Sequence, residues 1–293
     1  MFISASKLKQ IVFFLAGSTI LTTGVHAATN YVDAGNISVS WELDKLSGAS
    51  PETSRLTNLT FRFNVNKETL HYDGTYFAQQ FRFDNVSSGI NIGYLGLQPR
   101  QDNNGKEYLR AVFSSFISGT KTNDNNCIAG ADGGDGASCG ITFPATYGHS
   151  YAIKVYKTAL HTWSGEVQDQ MSKEVVHIGS WILPDSVGDL LSSAGGFAEY
   201  YAFYKPGYSQ FVVPECSQLA KINVFYGPVT TTDFDGGIGS ISNVFEYNSQ
   251  ECIGDASGFS SQPETVSITM PNGQVLSAEG QNVVRGFMSK INN

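Results

Sequence analysis

The stretch LTFRFNV, Leu59 to Val65, alternates without a break. Leu59, Phe61, Phe63 and Val65 share one side of an extended chain, and Thr60, Arg62 and Asn64 share the other, because strand side chains point alternately to opposite faces. Large apolar groups on one face and polar groups on the other mark a half-buried strand.

The same reading extends outward from this segment. ISVSWEL sets Ile37, Val39 and Trp41 on one face. YFAQQFRFD, INIGYLGLQPR, YLRAVFSSF, YAIKVYKT, TWSGEVQDQ, EVVHIGSWILP, FAEYYAF and KINVFYGPV continue the series. Turn clusters such as DNNGK and QMSKE separate them. Short strands at regular spacing predict a mainly β protein, an antiparallel β-sandwich of jelly-roll or lectin-like type. One or two short helices are expected, at SVGDLLSSAGG (186–196) and at AEGQNVVRGFMSKIN (278–292). DASGFSSQPE (255–264) reads as a linker, and TVSITMPNGQVLS (265–277) as a hairpin turning at Pro271-Asn272-Gly273.

The first 27 residues have the form of a signal peptide. Lys7 and Lys9 precede an apolar run from Ile11 to Leu21, and Val25-His26-Ala27 resembles a peptidase site. The run is too short to span a bilayer comfortably, and no later segment is apolar over about 18 residues, so no stable membrane span is expected after cleavage. The expected organisation is a signal peptide over 1–27, a β-sandwich domain over 28–252, and a linker, hairpin and short helix over 253–293. The expected location is secreted or periplasmic. Without the two leader lysines, 16 basic residues face 26 acidic ones, a net charge of −10. Such a surface disfavours nucleic acid and suits a neutral partner or a cation.

Four cysteines follow the leader: Cys127, Cys139, Cys216 and Cys252. An even number in an exported chain points to disulfides. Pairing Cys127 with Cys139 and Cys216 with Cys252 keeps both bridges local, and two other pairings remain open. No CxxC occurs, so neither a thioredoxin-like redox motif nor a common zinc knuckle is indicated.

NNCIAGADGGDGASCG, Asn125 to Gly140, sets Asp132 and Asp135 among glycines, with Asp124 just before. Hard cations such as Ca²⁺ take carboxylate and carbonyl oxygens, and glycines let a backbone curl around them. The spacing is not that of an EF-hand. Two readings stand: a disulfide-stapled loop whose aspartates cap turns, or a Ca²⁺ site at Asp132, Asp135 and Asp124. A phosphate cradle is disfavoured, since no GK[ST] follows.

The motifs GYLGLQPR, VFSSF, NCIAGADGGDGASC, FPATYGHSYAIKVYKT, TWSGEVQDQMSKEVVHIGSWILP, FAEYY and VFYGP occur in that order. Together they resemble a secreted protein family related to the DUF3472 group, over Trp41 to Pro228. The resemblance implies an exported β-sandwich, sometimes associated with carbohydrate. It carries no catalytic residues over to this chain.

Three constellations bear on function. Glu166 and Glu199 could serve as the two carboxyl groups of a glycan hydrolase or lyase if their strands were neighbours on one groove. The alternative is a solvated Glu166 and a Glu199 bonded to a tyrosine hydroxyl. Tyr200, Tyr201, Tyr204 and Tyr208, with Trp163, form an aromatic set suited to stacking on neutral sugars. The alternative is that these rings bridge core and rim. His71, His149, His161 and His177 are scattered, without metal-ligand spacing. The first expectation is therefore a carbohydrate-binding module for a neutral polysaccharide or glycan, with Ca²⁺ ordering its disulfide loop. A glycan-active enzyme and an extracellular structural or interaction protein are the alternatives.

Overall fold

The computed structural model describes residues 35–86, 89–201, 215–247 and 251–289. The expected signal peptide, and Tyr204 and Tyr208, lie outside them.

LTFRFNV forms β2 (Asn58–Val65), and its alternation is the one observed: Leu59, Phe61, Phe63 and Val65 are buried. The other strands are β1 (Asn36–Leu46), β3 (Thr75–Arg82), β4 (Ile92–Asn103), β5 (Lys106–Ser115), β6 (Cys127–Ala131), β7 (Gly134–Ala145), β8 (Ser150–Ala159), β9 (Thr162–Asp169) and β10 (Val175–Ile182). After them come β11 (Ser193–Tyr200), β12 (Ile222–Thr231), β13 (Gly237–Tyr247), β14 (Ser260–Thr269) and β15 (Val275–Arg285). Every named pairing is antiparallel. The strand order is β10-β9-β8-β2-β12-β13-β1-β11-β3-β4-β5-β7-β6, with the β14–β15 hairpin joined at β12.

This one ladder becomes two layers by coiling, so that its ends face each other across the core. Phe113 of β5 stacks on Trp181 of β10 with ring centroids 4.6 Å apart. Phe83, just after β3, meets Trp163 of β9 edge-on at 5.1 Å. Near the middle of the ladder, Trp41 of β1 packs against Phe61 of β2. Bulges in β1 and β12 break the register locally and let the ladder bend. Gly179 of β10 lies directly on the Cys127–Cys139 sulfurs, and any side chain there would collide with them.

Two expectations of helix are corrected. Residues 186–192 form turns and an isolated bridge at Leu190, and β11 starts at Ser193. Of the C-terminal segment, 278–285 lie in strand β15 and 290–292 lie outside the described residues: Ile222 to Tyr226 of β12 leave one edge open, and β15 completes that ladder. The apolar pattern of this segment was ambiguous, and tertiary pairing decided it. Among the described residues the complete 3₁₀ turns are Cys216–Gln218, Asp233–Asp235 and Gly254–Ala256, and Tyr201 is also in 3₁₀ conformation. The hairpin at Pro271-Asn272-Gly273 is present, with Thr269 opposite Val275. Its first strand begins at Ser260, inside the expected linker.

Candidate functional site

The side of β11, β3, β4 and β5 that faces away from the core carries a second, smaller apolar cluster. Along β3, Phe77 and Phe81 enter the main core, while Tyr76 and Ala78 face outward. Along β4, Leu95 and Leu97 are inward and Tyr94 is outward; on β5, Ala111 and Phe113 are inward and Val112 outward. Phe116, Phe197 and Tyr201 complete this aromatic floor. Tyr76 meets Tyr94 edge-on at 5.3 Å and Phe197 at 5.6 Å, and Tyr94 meets Phe116 at 4.9 Å. Gly96 lies opposite Ala78 in the ladder, and a side chain there would strike the Phe77 carbonyl. Tyr76, Ala78, Tyr94 and Val112 are buried, and Phe116, Phe197 and Tyr201 are the partly exposed members of the cluster.

Polar groups stand at two ends of this floor. At one end the Tyr94 hydroxyl donates to Asp132 Oδ2 at 3.0 Å. Glu199 sits opposite Tyr76 in the β11–β3 register. The Tyr76 hydroxyl is buried without a hydrogen-bond partner. Burial raises its pKa well above the usual tyrosine value, and the charges near Tyr94, Asp132 and Glu199 add to that. Tyr94 is raised by the same causes, burial first and Asp132 next.

At the other end Gln98 of β4 lies opposite Arg110 of β5. Arg100 donates to Gln98 Oε1 at 2.5 Å, to the Pro99 carbonyl at 2.7 Å and to the Tyr201 hydroxyl at 3.5 Å, and it lies 3.6 Å from Asp73. Arg110 lies across Gly140, where a side chain would clash with its guanidinium. Its pKa is lowered, first by burial and next by the neighbouring Arg100.

The disulfide loop reaches this face. Its bridges are Cys127–Cys139 and Cys216–Cys252, the local pairing. Cys127 and Cys139 are direct cross-strand partners. The glycine-rich sequence between them is a β6–β7 hairpin with a two-residue turn at Asp132-Gly133, between Ala131 and Gly134. Both turn residues have positive φ, 47° and 80°, which Asp and Gly tolerate. Asp-Gly was the readable signal for this hairpin.

The three aspartates are not gathered around a cation. Asp132 is engaged by Tyr94, and Asp135 is exposed on β7. Asp124 Oδ2 is 2.6 Å from His177 Nε2, and Asp124 Oδ1 accepts the Asn126 N–H at 2.9 Å. Burial raises the Asp124 carboxyl, but these hydrogen bonds outweigh it and leave its pKa below the usual value. Among the described residues, no three or more His, Cys, Asp or Glu side chains are placed to hold a metal ion.

The other expected site residues are dispersed. Trp163 is wholly buried in the core, so it cannot stack on a ligand. Tyr200 is also buried, and its N–H donates to Asn36 Oδ1. Tyr201 alone of the described tyrosine set belongs to the aromatic floor. Glu166 on β9 accepts the Tyr156 hydroxyl at 3.1 Å. Glu199 on β11 is separated from it by five intervening strands in the ladder, so the two carboxylates do not lie on neighbouring strands. The sequence reading missed Tyr76, Tyr94, Gln98, Arg100 and Arg110. A signal existed: YFA and GYLGL are apolar at consecutive positions, the mark of a strand covered on both faces.

No family model matches the chain, and no curated protein does. Among solved structures, it is similar to scytalido-glutamic peptidase with a transition state analog inhibitor, at 13% identity and a TM-score of 0.43, covering 87% of this chain and 98% of that one. It is similar also to SCP-B, a member of the eqolisin family of peptidases, in complex with the tripeptide Ala-Ile-His, at 13% identity and a TM-score of 0.41 over the same shares.

Proposed function

We propose that the protein is an exported glycan-binding module whose ligand lies on the outer face of β11, β3, β4 and β5. The observation that carries this reading is the pairing of an aromatic floor with polar groups at its rim. Phe197 and Tyr201, the partly exposed rings over the buried Tyr76 and Tyr94, offer ring surface for the C–H faces of sugars. Asp132, Glu199, Gln98 and Arg100 offer hydrogen bonds to hydroxyls, and the buried Tyr76 hydroxyl lacks a partner. Two disulfides suit an oxidising compartment, and no described helix is long and apolar enough to cross a membrane. The resemblance to the DUF3472-related family supports the same reading.

Titration calorimetry against a panel of soluble polysaccharides tests it. Binding by the native protein, lost in Tyr94→Ala with the fold retained by circular dichroism, is the expected result. A folded protein that binds no polysaccharide of the panel overturns it.

A further inference from the structure

Arg110 is the one group of the aromatic face whose chemistry points beyond sugar hydroxyls. Its guanidinium carries five N–H donors in a planar fork. Among the described residues none of them meets an acceptor, whereas neighbouring Arg100 is held by Gln98, Pro99, Tyr201 and Asp73. A half-buried cation set beside a second cation, Arg100, which has Asp73 as its own partner, is left without a paired carboxylate. Burial is the first cause of its lowered pKa and the neighbouring Arg100 the next. The chain as a whole is acidic, so this local excess runs against the general surface. Opposite Arg110 across the ladder stands Gln98, an uncharged amide already turned to Arg100. The complementary partner of such a fork is a carboxylate, which it binds through two parallel hydrogen bonds.

We infer that Arg110 is a carboxylate subsite of the glycan face, and that the ligand is a glycan bearing uronic acid residues. This rests on the glycan reading above and narrows the expected neutral polysaccharide to an acidic one. The sugar ring lies on the partly exposed Phe197 and Tyr201, and its carboxylate reaches toward Arg110. Gly140 contributes by having no side chain, which leaves the guanidinium room to lie flat on the sheet.

The test compares an oligouronide with the same oligosaccharide after its carboxyl groups have been reduced to alcohols. Calorimetry is run on the native protein, Arg110→Gln and Arg110→Lys, each checked for fold by near-UV circular dichroism. The native protein is expected to bind the oligouronide about tenfold or more tightly over the reduced form. Arg110→Gln should erase that preference while keeping the weaker binding of the reduced form, and Arg110→Lys should keep part of it. Equal binding of the two forms by the native protein overturns the inference and leaves the glycan reading standing. Binding of neither form, nor of any other polysaccharide, overturns both. A peptide arm, with free and amidated C-termini, separates the other source of carboxylate. Arg110-dependent binding of the free form, without uronide binding, overturns the glycan assignment.

Discussion

The Tyr94 hydroxyl donates to Asp132 across 3.0 Å, which ties β4 to the turn of the disulfide hairpin 38 residues later. The bond makes one surface of two elements that the sequence keeps apart. The tyrosine ring lies against Phe116 and Phe197, and the bond occupies the Asp132 carboxylate.

Breaking that bond should weaken ligand binding more than folding. Tyr94→Phe and Asp132→Asn are each expected to lower stability by about 1 kcal/mol. Glycan affinity should fall about tenfold. Chemical denaturation and calorimetry on the same samples separate the two effects. A large stability loss with unchanged affinity would assign the bond to the fold alone.

Calcium should leave the protein unmoved. With Asp132 held by Tyr94 and Asp124 by His177, the loop aspartates do not converge. The thermal midpoint is expected to stay within about 1 °C on adding Ca²⁺ or EDTA, since only a ligand that binds the folded state shifts it. A rise that Asp132→Asn and Asp135→Asn abolish would restore the cation site.

Gly179 should tolerate no side chain. A Cβ there meets both sulfurs of the Cys127–Cys139 bridge, where one end of the ladder rests on the other. Gly179→Ala is expected to cost about 1–3 kcal/mol, as overpacking does. Removing the bridge by Cys127→Ser with Cys139→Ser should cost about 2–4 kcal/mol. If the alanine variant unfolds at the same urea concentration as the native protein, the two sheet ends do not press together there.

Stability should fall on the acid side through Asp124 and Asp169. Burial raises each carboxyl, but hydrogen bonds from His177 and the Asn126 N–H outweigh it at Asp124. Those from His149 and the Met171 and Ser172 N–H groups do so at Asp169. Both therefore sit below the usual carboxylate value when folded. Their contribution is full above the unfolded value of about 3.9 and is lost as pH falls through the folded one. Thermal midpoints measured from pH 6 to pH 2 should drop, less steeply in Asp124→Asn. An equally steep drop in that variant would remove Asp124 as a contributor.

Trp163→Ala should cost about 3–5 kcal/mol and leave any glycan affinity per folded molecule unchanged, because the ring lies in the core. Affinity loss at constant fold would return Trp163 to the ligand face.

The strands were readable where one face meets the core and the other meets water. LTFRFNV and TWSGEVQDQ show that alternation plainly, since burial imposes a period of two on the side chains. Reading failed where neither face follows the rule. In YFA and GYLGL both faces are apolar, so periodicity gave Tyr76 and Tyr94 no face and the cluster they build went unseen. The final segment was read as a helix because a short apolar run fits either period, and only the open edge of β12 chose the strand.

Cysteine spacing favoured the local pairing that the structure shows, because a bridge across 12 residues closes a short loop easily, and it left two other pairings open. The same stretch could not say where its aspartates point. That depended on Asp132-Gly133 turning a hairpin toward β4, and on the coiling of one long ladder that brings distant strands into two layers. Local periodicity thus sufficed for elements that each bury one face. The site needed side chains from β4, β5, β11 and the hairpin to meet on one surface, and their meeting follows from strand order, which no local pattern encodes.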